Sequence, residues 1–374
     1  MKKRLIAICM AAALMMTAGA CGQNSSESTT APTTAEQTTA ATTEAPVDET
    51  DPTEPVEPAV VTITGSDGEA VDVMQSPKVV AVYDYAILDI LQNVGFENTG
   101  IEMLVVPNKD GLPDALKYYK DLGDDKVVSG GSLFYVDWDV LDLVQPELVI
   151  LGGRSFGMNA AGERLDKDAA AKFKSDTMDR YGEAAFVRLA MNSSDSQLSV
   201  DMASNVAALA AVFPELADAL NAKLSEVKAA IEEIHDAAEA SGKTALFCMM
   251  VDQTTMSVFN PQSRFDMLYE DFGFTPVDQE AVAWEDSHGF DVRAEYVLEK
   301  NPDVIFILDR SATVGTGAGA ENFMNDPIIK QTNAAQNGNI YVLTGDAWYT
   351  MTGGFTAVES MISDLNQFIS TLAE

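Results

Sequence analysis

The stretch from residue 199 to residue 241 most constrains the fold, because its pattern predicts nearly continuous helix, interrupted at Pro214. Proline suits the first turn of a second helix, and Gly242 stands where a helix often ends. The second helix, which follows Pro214 and has roughly 27 residues, would be about 40 Å long, enough to run the length of a two-lobed protein as its spine. Its large apolar residues recur three or four positions apart, the helical period: Leu216, Leu220, Leu224, Val227, Ile231 and Ile234.

On either side of this helix, short apolar runs alternate with helical stretches, which is typical of layered α/β domains. The sequence therefore predicts two α/β lobes joined by a single long spine helix: an N-terminal lobe at 59–198, a helical spine at 199–242 and a C-terminal lobe at 243–374. The candidate strands lie at 79–82, 102–106, 148–151, 187–191, 245–251, 304–308 and 340–343.

Two internal echoes indicate that the lobes are related. VLDLVQPELVIL at 140–151 precedes GGR, and YVLEKNPDVIFI at 296–307 precedes LDR, so that an arginine follows each proline at the same offset. DIL and GF at 89–96 are echoed by DML and GF at 266–274. Two echoes in the same order favour duplication. Ligands of open α/β sheets bind beyond the carboxyl ends of the strands, so Arg154 and Arg310 are predicted to meet at a shared cleft.

The first 58 residues predict export and tethering. Residues 1–20 carry three basic residues, an apolar run and small residues before Cys21, the layout of a signal peptide. The apolar run is shorter than the roughly 20 residues that span a bilayer. Ala18-Gly19-Ala20-Cys21 resembles a lipoprotein cleavage site and predicts acylation of Cys21; an ordinary signal peptide with a stray cysteine is the alternative. The polar segment 21–58 cannot bury a core and is predicted to be a disordered linker.

Composition excludes several functional classes. After Cys9 and Cys21, only Cys248 remains, inside an apolar run, so we expect a core thiol with no disulfide framework. The net charge of −35 argues against nucleic acid, although an anionic small ligand responds to local charge. The nucleophile elbow, the zinc-protease helix, the phosphate loop and the Cys-x-x-Cys motif are all missing from the sequence, and no carboxylate pair stands out. We therefore expect no enzyme and no intrinsic cofactor.

A few scarce residues are the candidates for ligand binding. Seven arginines follow the signal peptide, and Arg154, Arg264 and Arg310 lie close to Gly, Pro or Ser at the ends of elements. The planar guanidinium fork suits oxyanions, although surface ion pairs would also account for each. His288 stands in a polar loop, whereas the other histidine, His235, lies on the spine and is expected at the surface.

The chain resembles the siderophore-binding lipoproteins of bacterial ABC importers, in particular those that bind catecholate siderophores. The resemblance runs from about residue 77 to the C-terminus and departs at 159–176 and 278–284, loops that could rim the cleft. It rests on VVAVYDY at 79–85, GSLF at 131–134, LGGR at 151–154, FNPQSRF at 259–265, DSHG at 286–289, ILDR at 307–310 and WY at 348–349.

The resemblance implies a ferric siderophore as ligand, bound as an anionic iron complex in a helical-backbone periplasmic-binding-protein-like fold. It implies that Arg154, Arg264 and Arg310 contact the catecholate oxygens and that His288 and Tyr349 contact iron. Tyr85 is a weaker candidate for the cleft wall. Its alternative is core packing, and that of Tyr349 is packing at a strand–helix turn.

The resemblance also implies a monomer on the outer face of the cell membrane, held there only by its lipid, that delivers cargo to an ABC permease. Asp89 and Asp271, or Glu270 beside it, hold comparable places in the two echoes and are candidate contacts for basic residues of the permease. A solvated helix face is the alternative for these acids. The other ligands left open are another iron chelate, haem or cobalamin, and the other class of function is a surface-tethered hydrolase or adhesin.

Overall fold

The computed structural model describes residues 59–191, 197–279 and 289–373. Its strands form a two-stranded hairpin and two larger sheets. The strands are β1 Val60–Thr64, β2 Ala70–Met74, β3 Val79–Tyr83, β4 Met103–Val106, β5 Val127–Ser129, β6 Leu148–Leu151, β7 Ala185–Arg188, β8 Thr244–Met250, β9 Met256–Phe259, β10 Thr275–Pro276, β11 Phe290–Val292, β12 Val304–Asp309 and β13 Ile340–Val342.

The helices lie between and against these sheets. They are α1 Tyr85–Asn93, α2 Lys117–Asp121, α3 Trp138–Val144, α4 Lys167–Arg180, α5 Leu198–Val212, α6 Ala217–Ser241, α7 Ala294–Lys300, α8 Arg310–Thr313, α9 Ala320–Asn325, α10 Asn333–Gln336, α11 Gly345–Tyr349 and α12 Phe355–Ile369.

The N-terminal sheet is wholly parallel, in the order β5-β4-β3-β6-β7. Its central strands are buried on both faces, as parallel sheets covered by helices are. The predicted strand at 187–191 is misplaced, because β7 pairs with β6 from Ala185 to Arg188 and not beyond. The antiparallel hairpin of β1 and β2 forms a separate ladder, and the Ser66 amide between its strands donates to the Arg188 carbonyl of β7 at 2.7 Å.

The C-terminal sheet is mixed, in the order β11-β9-β8-β12-β13 with β10 beside β8. β8, β12 and β13 are parallel neighbours, whereas β9 runs antiparallel to β8 and to β11. Cys248 lies in β8, fully buried, and burial raises the pKa of its thiol. The prediction that this cysteine is a core residue is confirmed.

The predicted spine is present as α5, a 3-10 turn at Pro214–Leu216, and α6. α6 has 25 residues, which corresponds to about 38 Å. It ends at Gly242, which has a left-handed backbone (φ 61°) that glycine adopts without strain. The apolar stripe of α6 is buried in a core cluster shared by both lobes, so the spine is a structural part of both. The residues of this stripe are Leu220, Val227, Ile231, Ile234 and Ala238.

Candidate functional site

A cavity of about 690 Å³ lies at the carboxyl ends of the two sheets. Arg154 follows β6 of the N-terminal sheet, and Arg310 directly follows β12 of the C-terminal sheet, so both lobes contribute to one cleft. Its lining includes Asp84, Phe134, Gly153, Arg154, Ser155, Gly157, Met158, Arg164, Ala170, Ala190, Met191, Met249, Val251, Arg264, Phe265, Arg310, Tyr349, Thr350 and Thr352.

A tight turn after β6 positions Arg154. A Cβ atom at Gly152 would lie 2.5 Å from the carbonyl oxygen of Tyr83, so this position requires glycine. The Gly152 amide donates to Ser155 Oγ at 3.0 Å, which closes the turn. Half-buried Arg154 then donates from Nη2 to the backbone carbonyl of Tyr349 at 2.6 Å.

Arg310 is held at the start of α8. The preceding Asp309 caps this short helix by accepting from the Ala312 amide at 3.0 Å, and it also accepts from the Gly319 amide at 2.8 Å. Its carboxylate is therefore engaged away from the neighbouring guanidinium. Arg310 itself donates from Nε to Tyr349 Oη at 2.9 Å and from Nη1 to the Val251 carbonyl at 3.2 Å.

Tyr349 is the centre of the arginine cluster. Arg264 donates from Nη2 to the same Tyr349 carbonyl at 2.9 Å. The guanidinium carbons of Arg154, Arg264 and Arg310 lie 5.1, 4.6 and 5.7 Å from the centroid of the Tyr349 ring, within the range of cation–π attraction. The structure thus brings together four of the residues predicted from sequence.

The electrostatics of the cluster favour an anion. Burial would raise the pKa of the Tyr349 hydroxyl, but the hydrogen bond from Arg310 and the three positive charges together lower it below its ordinary value. Burial, with Arg154 nearby, lowers the pKa of Arg264 to about 10. Within the part of the chain that the structure describes, none of the three arginines forms an ion pair with a carboxylate.

Asp84 is the one carboxylate among the described residues that line the cavity. Its Oδ1 caps α1 by accepting from the amides of Ala86 and Ile87 at 2.9 and 3.3 Å. Burial raises the pKa of Asp84 to about 6, against the lowering effects of these amides and of Arg154.

The other predicted site residues are not part of this cluster: Tyr85 is buried in the core, and the rest lie outside the described residues. Tyr85 is 8% exposed and packs in the core cluster, next to the lining residue Asp84. Its contact with a ligand stays a prediction. His288 and Cys21 lie outside the described residues. No group of three or more His, Cys, Asp or Glu side chains that could hold a metal occurs within 59–191, 197–279 and 289–373.

Two lining residues escaped the sequence reasoning. Arg164 was counted among the scarce arginines, yet it lies in a segment with no family pattern, and only its scarcity could have drawn attention to it. Asp84 lies inside the motif at 79–85, but one acid among 58 acidic residues carries no signal of its own.

The two acids expected at a permease interface are used inside the protein. Asp89 is fully buried and accepts from the Ala357 amide in the first turn of α12 at 3.2 Å, so the prediction of a surface contact at Asp89 is wrong. Half-buried Asp271 accepts from the amides of Leu198 and Ser199 at 2.8 and 2.9 Å, at the start of α5. In each echo, therefore, an aspartate accepts hydrogen bonds from backbone amides at the start of a helix.

A family model described as periplasmic binding protein matches residues 80–347, more than two thirds of the chain. The chain belongs to the periplasmic binding protein family. The petrobactin-binding protein YclQ of Bacillus subtilis is 26% identical to this periplasmic binding protein over 301 residues, which cover 80% of this chain and 84% of YclQ. The ferric-anguibactin-binding protein FatB of Vibrio anguillarum is 23% identical over 313 residues, covering 83% of this chain and 88% of FatB.

Among solved structures, the periplasmic catecholate-siderophore binding protein VctP of Vibrio cholerae superposes with a TM-score of 0.69 at 27% identity, covering 83% of this chain and 100% of VctP. These relatives confirm the predicted resemblance and the two-lobed fold, and family membership confirms a binding protein in place of an enzyme. Within the described ranges, no helix is long and apolar enough to cross a membrane.

Proposed function

We propose that this periplasmic binding protein captures a ferric catecholate siderophore in its cleft and delivers it to the permease of an ABC importer. The observation that carries the proposal is the arginine cluster. Three guanidinium groups lie around Tyr349. Among the described residues none of the three is paired with a carboxylate, although the chain has a net charge of −35. The names of YclQ and VctP support the same ligand class.

The chemistry of the cargo fits this arrangement. Ferric iron is a hard cation that takes oxygen donors, and its catecholate complexes are anions. Guanidinium groups donate in a planar fork to adjacent oxygens, and in a partly dry cleft such charged hydrogen bonds are strong. Neutral hydroxamate complexes would leave the three charges without a partner. Haem and cobalamin remain alternative ligands, and no described feature favours a hydrolase or an adhesin.

Tyr349 is proposed to coordinate iron when the siderophore supplies only four oxygens. The arginines lower the pKa of the Tyr349 hydroxyl, which favours the phenolate that a metal binds, and the metal would lower the pKa further. His288 is proposed as the second protein ligand, from its sequence motif alone. When the siderophore supplies six oxygens, both side chains would instead lie beside the complex.

Delivery and anchoring complete the proposal. Acylated Cys21 and the linker at 21–58 would hold a monomer at the outer face of the membrane. The lobe boundaries proposed at 198 and 242 follow the ends of the spine. With Asp89 buried and Asp271 capping α5, exposed Glu270 is the remaining acid of the second echo that could meet basic residues of the permease.

A ligand comparison tests the proposal. Quenching of tryptophan fluorescence can follow titrations of the purified protein, in which Trp348 directly precedes Tyr349. We expect tight binding of an anionic ferric bis-catecholate and at least 100-fold weaker binding of a neutral ferric hydroxamate. Equal affinity for both complexes, or tighter binding of haem or cobalamin, would contradict the proposed ligand.

A further inference from the structure

A small hairpin at residues 157–165 forms one wall of the cleft. Met158 and Arg164 pair across it as an antiparallel bridge, and the Leu165 amide donates to the Gly157 carbonyl at 2.9 Å. The Met158 amide also donates to the Phe134 carbonyl at 3.1 Å, which fixes the hairpin to the N-terminal lobe.

The two faces of this hairpin are different. Met158 and Arg164 line the cleft. Their neighbours Asn159 and Leu165 line a separate cavity of about 300 Å³ behind the wall, together with Tyr135, Trp138 and Phe173. Tyr135 and Phe173 stack on each other on that side, with ring centroids 5.8 Å apart. Because neighbouring residues of the hairpin line opposite faces, Arg164 lies on the face that lines the cleft.

Arg164 is exposed, and among the described residues it has no ion-pair partner although acidic residues flank it. Glu163 accepts from Asn159 Nδ2 at 2.8 Å, and Asp166 caps α4 by accepting from the Ala169 amide at 2.8 Å. Both neighbouring carboxylates are therefore engaged elsewhere. By contrast, exposed Arg180, outside the cleft, forms an ion pair with Asp142.

The charge of the described lining exceeds what the iron centre needs. Four arginines and one aspartate are among the residues that line the cleft, and even with Tyr349 counted as the proposed phenolate they leave an excess of two positive formal charges. A ferric ion with two ionised catecholates carries a single negative formal charge. Arg154, Arg264 and Arg310 surround Tyr349, and Arg164 forms no contact with that tyrosine. A second anionic group of the ligand would find its partner at Arg164.

We propose that Arg164 is a specificity-determining residue that binds a carboxylate of the siderophore which is not coordinated to iron. This inference rests on the proposed function. The planar fork of Arg164 matches a carboxylate in two parallel hydrogen bonds. As a charge at the rim, it would act by selecting among catecholate complexes, while the arginines around Tyr349 hold the iron centre.

A matched pair of chelates tests the inference. Each carries two 2,3-dihydroxybenzoyl groups on the two amines of lysine. One keeps the lysine carboxylate, and the other has a carboxamide there. The affinities of the two ferric complexes are measured at fixed ionic strength for the wild type, for Arg164→Ala and for Lys167→Ala. Lys167 is an exposed control of equal charge that begins α4 and does not line the cleft.

We expect the wild type to prefer the carboxylate complex by about fivefold, in line with a partly exposed charge pair. Arg164→Ala should abolish the preference by weakening that complex alone, and Lys167→Ala should retain it. Unchanged affinity in Arg164→Ala, or equal weakening of both complexes, overturns the role of Arg164 while the proposed function stands. If the wild type binds neither complex, the proposed function fails and this inference fails with it.

Discussion

Arg154 Nη2 donates to the backbone carbonyl of Tyr349 at 2.6 Å, a bond that joins the end of β6 in one lobe to the end of α11 in the other. Arg264 donates to the same carbonyl at 2.9 Å. A guanidinium has five N–H donors, and each of these arginines uses one here, so both keep donors for a ligand. Tyr349 is therefore a scaffold for the arginines as well as a candidate iron ligand.

The two roles of Tyr349 can be separated by ligand type. Tyr349→Phe removes the hydroxyl but keeps the carbonyl that orients Arg154 and Arg264. We expect the affinity for a ferric bis-catecholate to fall about tenfold and its visible charge-transfer band to shift, because the phenolate leaves the iron. His288→Ala should weaken the same complex. A hexadentate tris-catecholate has no open position on iron and should lose much less.

Titrations of both ferric complexes with both variants check this prediction. Similar losses for the two ligand types would mean that the side chains only pack beside the cargo. An unchanged spectrum with the bis-catecholate would likewise contradict coordination by Tyr349.

The arginines should make Tyr349 an unusually acidic tyrosine before any ligand binds. Positive charge favours the phenolate, so its pKa lies below the ordinary value of 10.0. Difference spectra between the wild type and Tyr349→Phe should show one tyrosine that ionises below this pH. Arg310→Ala removes the hydrogen bond to Oη and should move that ionisation upward. A Tyr349 that ionises at or above pH 10.0 in the wild type would refute the electrostatic description.

Asp89 should make stability depend on pH. Burial raises its folded-state pKa to about 6 from 3.8, so the folded state binds the proton more tightly than the unfolded state. The free energy of unfolding should therefore rise as the pH falls from above 6 towards 4, by up to about 3 kcal/mol from this group. Asp89→Asn should lack that increment. Urea unfolding of both proteins between pH 4 and pH 8 tests it, and parallel pH profiles would exclude Asp89 as the source.

Asp271 should stabilise the protein as a helix cap. Asp271→Ala leaves the amides of Leu198 and Ser199 without their acceptor, and we expect a loss of about 1 kcal/mol in the free energy of unfolding. Glu270→Ala, at the exposed neighbouring acid, should cost little. If the two variants unfold at the same urea concentration, the cap has no energetic role.

Much of the fold could be predicted because the spacing of apolar residues and the Pro or Gly residues at helix ends are local signals. The spine followed from apolar spacing, with Pro214 between its two helices and Gly242 at its end. β6 at Leu148–Leu151 was predicted residue for residue. The antiparallel strands β9 and β11 were missed, because strands of three or four residues carry little periodicity.

The scarcity of arginine and the family motifs predicted the central part of the site. Arg154, Arg264, Arg310 and Tyr349 meet in one cluster as expected. The interior position of Asp89 was missed because the partner that buries it, the start of α12, lies 268 residues further along the chain. Arg164 was missed for a related reason, since only the folded hairpin shows which face it occupies.

The central claim is that the arginines around Tyr349 bind an anionic ferric catecholate complex. Losing one charged partner in such a site typically costs about 2–5 kcal/mol, so each of Arg154→Ala, Arg264→Ala and Arg310→Ala should weaken binding by roughly 30-fold or more. Arginine-to-lysine variants should also lose affinity because the fork is lost. Arg180→Ala, at an arginine paired outside the cleft, is the matched control and should bind as the wild type does.

The most direct measurement is a fluorescence titration of a ferric bis-catecholate into the wild type, the Arg180→Ala control and the triple alanine variant of Arg154, Arg264 and Arg310, with circular dichroism to verify folding. The account predicts that the folded triple variant loses measurable binding while the control keeps wild-type affinity. A folded triple variant that binds the complex as tightly as the wild type would contradict it.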